Sequence, residues 1–118
     1  MNESMSAVVF DCSDAAKLAQ FWSATLNKPI DSDASADFAS IGVSDRASNG
    51  PGLMFNKVPE GKSAKNRVHI DLTSTDLDVT VQRLMELGAR KGDEHNQDGS
   101  RWVTLADPEG NEFDVVAG

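Results

Sequence analysis

The sequence predicts an α+β domain of two βαβββ modules, joined into one curved, cupped mixed sheet with the helices on its convex face. Three observations carry this expectation. A short alternating apolar run leads into a capped amphipathic helix twice, at Ala7–Leu26 and again at Val68–Leu84. A single offset of 62 residues carries Ala7 onto His69 and Asp14 onto Asp76. A unit of about 55 residues buries its own sheet face poorly, so two units side by side make the better-covered sheet.

The elements follow in order. In Ala7–Cys12, Val8, Phe10 and Cys12 share one face, and Ala7, Val9 and Asp11 share the other. Ser13 and Asp14 can cap a helix on which Leu18, Phe21, Trp22, Thr25 and Leu26 recur at helical spacing. Asn27 and Pro29 end it. Asp31, Ser32, Asp33 and Ser35 read as a turn, Phe38–Val43 as a strand, Asn49-Gly50-Pro51-Gly52 as a turn and Leu53–Val58 as a strand. A polar connector runs from Pro59 to Asn66. Val68–Leu72 then alternates, with Val68, Ile70 and Leu72 opposite His69 and Asp71. Thr75 or Asp76 caps the second helix, Asp78 can return a hydrogen bond as in a capping box, and Gly88 is placed as its stop. Arg90–Glu94 reads as a short edge strand, Gln97–Ser100 as a turn and Arg101–Ala106 as a strand. Asp107–Gly110 reads as a tight turn and Asn111–Ala117 as the last strand. The whole chain, residues 1–118, is expected to be one domain, with module one at about 5–58, the connector at 59–66 and module two at about 67–118.

Composition bounds the function. Hydrophobic residues make up 39% and charged residues 25%, as in folded globular chains. The net charge of -8 repels a phosphate backbone, so nucleic acid is not an expected partner. Lys57, Lys62, Lys65 and Arg67 cluster with only Glu60 against them. A solvated loop is the first reading of that segment and an anion-contacting loop the second. Cys12 is the sole cysteine, which rules out an internal disulfide and suits a small buried apolar group. Met1–Met5 lacks the basic start of a signal peptide, and no apolar run is long enough to span a membrane, so a cytoplasmic protein is expected.

Two stretches bring a family into view. The first is Val68–Leu72 with Thr75-Asp76-Leu77-Asp78 and the helix ending Leu87-Gly88-Ala89. The second is the hairpin run Asp107-Pro108-Glu109-Gly110-Asn111-Glu112-Phe113. Together with Val8–Trp22, they resemble the glyoxalase/bleomycin resistance/dioxygenase (vicinal oxygen chelate) superfamily, in its glyoxalase-like domains. The resemblance covers the whole chain. It implies a cupped sheet with up to four metal-ligand positions. The opening-strand position is Ala7, which has no donor. Asp11 shares its face but lies about 13 Å further along the strand. The second-module position is His69, and the last-strand position is Asp114, four residues after Gly110. The first-module counterpart of Asp114 falls on Met54, Phe55 or Asn56. With two of four ligands present, no cofactor is expected, while a divalent metal held by His69 and Asp114 stays open.

Strand alternation gives the lining of the groove without the resemblance: Val9, Asp11, His69, Asp71, Trp102, Thr104, Glu112 and Asp114. Burying that many ionisable groups is costly unless they pair, so the face is either open to water or a wet ligand pocket floored by Trp102. His69 is the candidate catalytic acid or base, or else a hydrogen-bonded structural histidine. His95 reads as a surface-loop residue, and Phe21 and Trp22 as core or dimer packing. The functional expectation is a protein binding a small organic molecule in the groove. The alternative is a metal-dependent lyase, isomerase or dioxygenase. A homodimer is implied by the resemblance alone.

Overall fold

The computed structural model describes residues 2–44 and 50–118, and the chain divides into two compact units, Met1–Gly61 and Lys62–Gly118. Each unit is a mixed sheet carrying one helix, which gives the α+β class expected.

In the first unit, β1 (Ala7–Cys12) leads to α1 (Ala15–Leu26), β2 (Phe38–Ile41) and β3 (Gly52–Lys57). The sheet order is β1-β3-β2, with β1 parallel and β2 antiparallel to β3. The Asp14 carboxylate accepts from the Lys17 N–H at 3.1 Å and so starts the helix. Asn27, at φ 53°, ends it in the left-handed region, and the Lys28 N–H donates to the Ser23 carbonyl at 3.1 Å. Trp22 (1% exposed) packs beside Phe10 at 5.5 Å and edge-on to Phe21 at 5.4 Å, while Phe10 also meets Phe55 at 5.3 Å. Each such aromatic pair adds about 0.5–1.5 kcal/mol beyond its buried area. Phe21 and Trp22 are therefore core, as is the buried Cys12.

Among the described residues only two strands follow α1 in the first unit, where a third was expected. Ile30 makes a lone antiparallel bridge to Ile41 and goes no further. The polar residues after it turn instead, with Asp33 at φ 69°. Asp31 organises that turn. Its carboxylate accepts from the Ser40 hydroxyl at 2.6 Å and from the N–H groups of Val43 at 3.0 Å and Ser44 at 3.4 Å. Burial pushes the Asp31 carboxyl up, but these donors outweigh it and hold the group below its ordinary value. The strand expected to reach Val43 stops at Ile41, and Asn49 of the anticipated turn lies outside the described residues.

In the second unit, β4 (Asp71–Ser74) leads to α2 (Leu77–Glu86), β5 (Arg90–Gln97), β6 (Ser100–Ala106) and β7 (Glu112–Ala117). The order is β4-β7-β6-β5, with β4 parallel to β7 and the other pairs antiparallel. Val103, Leu105, Phe113 and Val115, each at most 1% exposed, form the buried face together with Leu77, Val81 and Leu84 of α2. The opposite face carries Trp102, Thr104, Glu112 and Asp114, none of them fully buried.

Asp76 is the cap of α2, accepting from the Val79 N–H at 3.3 Å with a backbone (φ -141°) like that of Asp14 (φ -141°). Asp78 does not close a capping box. It bonds Arg101 at 2.7 Å, and that cation holds its carboxyl below the ordinary value. Gly88, at φ 118°, follows the cap residue Leu87, where a side chain would be strained. Val68 is not core: it is 81% exposed, because regular pairing begins only at Asp71. The ladder extends one step back, through the Asp114 N–H donating to the Ile70 carbonyl at 3.0 Å.

Candidate functional site

Three side chains converge on the open face of the second sheet. Asp71 on β4 pairs in register with Asp114 on β7, and Asp114 pairs in register with Thr104 on β6. His69 stands two residues before Asp71. Its Nε2 lies 3.2 Å from Asp71 Oδ1 and 3.2 Å from Asp114 Oδ2. The Thr104 hydroxyl donates to Asp114 Oδ1 at 2.6 Å, which leaves the other oxygen facing His69. The Asp114 side chain is 16% exposed, against 44% for His69 and 59% for Asp71. The cluster thus has a sheltered anchor and an open front.

Around it lies a cavity of about 540 Å³, lined on one wall by Trp102, His95, Ser100 and Val116 and elsewhere by Lys65 and Glu112. Trp102 and His95 are stacked, with centroids 5.0 Å apart and planes 17° from parallel. Glu112 is tied to the connector. Its carboxylate accepts from the Asn66 N–H at 3.1 Å and pairs with Lys62 at 3.2 Å, while its carbonyl accepts from Asn66 Nδ2 at 3.1 Å. The Asn66 donor, assisted by Lys62 and opposed by burial, holds the Glu112 carboxyl below its ordinary value.

The structure gathers six of the eight anticipated lining residues around this cavity: His69, Asp71, Trp102, Thr104, Glu112 and Asp114. Val9 and Asp11 stand exposed on β1 of the first unit. His95 is not in a loop. It sits on β5 opposite Trp102, because β5 runs three residues past Glu94. The signal for this was present. A two-residue Asp98-Gly99 turn pairs residues equidistant from it, and so sets His95 against Trp102. Lys65 was grouped with a basic segment read as a solvated or an anion-contacting loop, and nothing in its spacing announced the cavity.

The two ladders show what the first unit holds at matching places. Val9 faces Met54 as Asp71 faces Asp114, and Ser40 faces Met54 as Thr104 faces Asp114. The counterpart of Asp114 is therefore Met54. With Ala7 in the place of His69, the described residues of the first unit hold no copy of the cluster.

The donor set can be tested for a metal. His69, Asp71 and Asp114 each offer one ligand atom, and these lie within 4.8 Å of one another. Donors bound at about 2.1 Å to one ion stand roughly 3.0–3.4 Å apart, which the two 3.2 Å separations match. One imidazole and two carboxylates suit a divalent ion, with room left on the open side. Asp71 thus adds a third donor to the two expected from sequence.

The sequence profile of the glyoxalase-like domain matches residues 7–116. The chain belongs to this family. The glyoxalase-like domain is also similar to solved structures across its whole length. A glyoxalase/bleomycin resistance protein/dioxygenase family enzyme from Burkholderia phytofirmans PsJN is 16% identical, with a TM-score of 0.80 and 98% of each chain covered. A mutant of the fosfomycin resistance protein FosX from Listeria monocytogenes was solved with Mn(II) and 1S,2S-dihydroxypropylphosphonic acid. It is 16% identical, at TM-score 0.79 over 100% of this chain and 92% of that one. Lactoylglutathione lyase from Agrobacterium tumefaciens is 14% identical, at TM-score 0.67 over 100% and 96%. At such identities the likeness is one of fold. Comparison with curated proteins found no match. No helix among the described residues is long and apolar enough to cross a membrane.

Proposed function

We propose that this glyoxalase-like domain binds a small organic molecule in the cavity of its second unit, with a planar group on Trp102 and polar groups against His69, Asp71 and Asp114. The observation that carries this reading is the stacked His95–Trp102 pair beside the His69 cluster in one cavity. A flat π-surface beside a few converging polar groups is how small-molecule sites combine affinity with orientation. The reading treats residues 1–118 as one domain of two modules, acting as a cytoplasmic homodimer with no nucleic-acid or membrane partner. It draws on the family resemblance for the dimer and on the net charge of -8 and the lone Cys12 for the rest.

A second reading, a metal-dependent lyase, isomerase or dioxygenase, is favoured by the 3.2 Å donor spacing. His69 Nε2, Asp71 and Asp114 would hold the ion, which would polarise an oxygen of the bound molecule. Thr104 would fix the Asp114 carboxylate, and His69 would have to give up any proton on Nε2.

Two measurements test these readings. Titration calorimetry with neutral ω-phenylalkanamides should show saturable binding that Trp102→Ala weakens at least tenfold. Absence of binding across the series sinks the first reading. Elemental analysis of the purified protein decides the second. One equivalent of a divalent metal, lost in His69→Ala, supports the enzyme, and metal-free protein that takes up none on addition rules it out.

A further inference from the structure

The basic connector segment has found no role so far, yet it sends Lys65 to the cavity wall. The segment is fastened there. Glu112 of β7 accepts from the Asn66 N–H and pairs with Lys62, which also donates to the Ala64 carbonyl. These contacts bracket Lys65 on both sides and so fix its backbone at the cavity. Among the described residues Lys65 has no ion-pair partner.

The carboxylates of the cavity are differently placed. Glu112 is engaged by Lys62 and Asn66, and Asp114 by His69 and Thr104. Asp71 meets His69. Lys65 is thus the cation left over to meet charge from outside, in a chain that is otherwise strongly acidic.

Strand register places this cation relative to the aromatic wall. Glu112, Asp114 and Val116 alternate along one face of β7, and Trp102 pairs with Val116. The Glu112 end and the Trp102 end of the cavity are therefore about 13 Å apart at 3.3 Å per residue. The His69 cluster lies between them.

We infer that the ligand is an elongated aromatic oxyanion, with its ring on Trp102 and His95 and a carboxylate or phosphoryl group at Lys65. This rests on the proposal that the cavity binds an aromatic molecule, and it adds the charge, the polarity along the site and the length. Glu112 acts as a positioning residue, by holding the segment that presents Lys65.

The test uses the full chain and three matched series: ω-phenylalkanoates from phenylacetate to 6-phenylhexanoate, the corresponding amides, and ω-phenylalkylamines. ω-Phenylalkyl phosphates form a fourth arm. A charge-assisted hydrogen bond of about 1.5 kcal/mol makes the acid roughly tenfold tighter than its amide. That ratio should peak at the longer chains and shrink with added salt. Lys65→Gln should collapse it to near one while leaving amide affinity unchanged, and Lys65→Arg should keep it. Trp102→Ala should weaken acids and amides alike. A preference for either oxyanion series supports the inference, and the larger preference names the head group. An acid-to-amide ratio unmoved by Lys65→Gln, or tightest binding of the amines, overturns it while leaving the aromatic cavity standing. Failure of acids and amides alike to bind removes both.

Discussion

Asp114 divides its two oxygens, one to Thr104 and one to His69, and that division joins a strand residue to the segment ahead of β4 in the candidate site. His69 and Asp114 were legible in the sequence because apolar and polar residues alternate around them: His69 lies between Val68 and Ile70, and Asp114 between the buried Phe113 and Val115. Asp71 was legible as a lining residue but not as a candidate third donor, since the parallel register of β4 and β7 cannot be read from either strand alone. Asp31 shows the same limit, because its partners Ser40 and Val43 lie across a turn of irregular backbone. Its role is testable. A carboxyl depressed on folding adds stability that is complete above its ordinary 3.8 and is lost as pH falls through the lower folded value. Wild-type stability should therefore decline from about pH 4 downward. Asp31→Asn should cost about 1–3 kcal/mol at neutral pH and flatten that decline. Denaturant titrations at pH 3 and pH 7 measure both, and an equal loss at the two pH values would contradict the assignment.

The helices and hairpins were the most legible elements, because their ends are set by local chemistry. Asp14 and Asp76 cap as their positions require, and Asp98 (φ 53°) and Gly99 (φ 81°) make a two-residue turn whose left-handed backbone matches strand twist. The polar strand β5 was only half legible. Arg90–Gln97 contains no aliphatic or aromatic core residue, so no alternation marks it, and its pairing with β6 defines it. The opening of β4 failed in the other direction: Val68 fits the pattern, but the connector is still turning there. The β6–β7 turn rests on Asp107, which is 1% exposed and whose carboxylate accepts from the N–H groups of Glu109 at 2.9 Å and Asn111 at 3.0 Å. Asn111 Nδ2 adds a further bond at 3.0 Å. Asp107→Ala strands these part-buried donors. It should destabilise the protein by roughly 2–4 kcal/mol, seen as a lower denaturant midpoint with unchanged slope. A shift under 0.5 kcal/mol would show that the turn is held by its backbone bonds, Gly110 N–H to the Asp107 carbonyl and Asp107 N–H to the Asn111 carbonyl.

For the molecule as a whole, the α+β class expected from the sequence holds, and each unit runs strand, capped helix and further strands. The chemistry is not repeated with the backbone. Every donor of the His69 cluster has an inert counterpart in the first unit: Ala7, Val9 and Met54, with Ser40 where Thr104 stands. The first unit carries the matching ladder positions without the donors. Ala7→His, Val9→Asp and Met54→Asp together transplant the missing groups onto the same ladder. If the second unit retains an ion, elemental analysis of the triple variant should find a second equivalent. An unchanged stoichiometry would mean that the halves share a scaffold and nothing of the fine placement that coordination demands. Either way, one half of this chain serves as an internal blank against which the other can be measured.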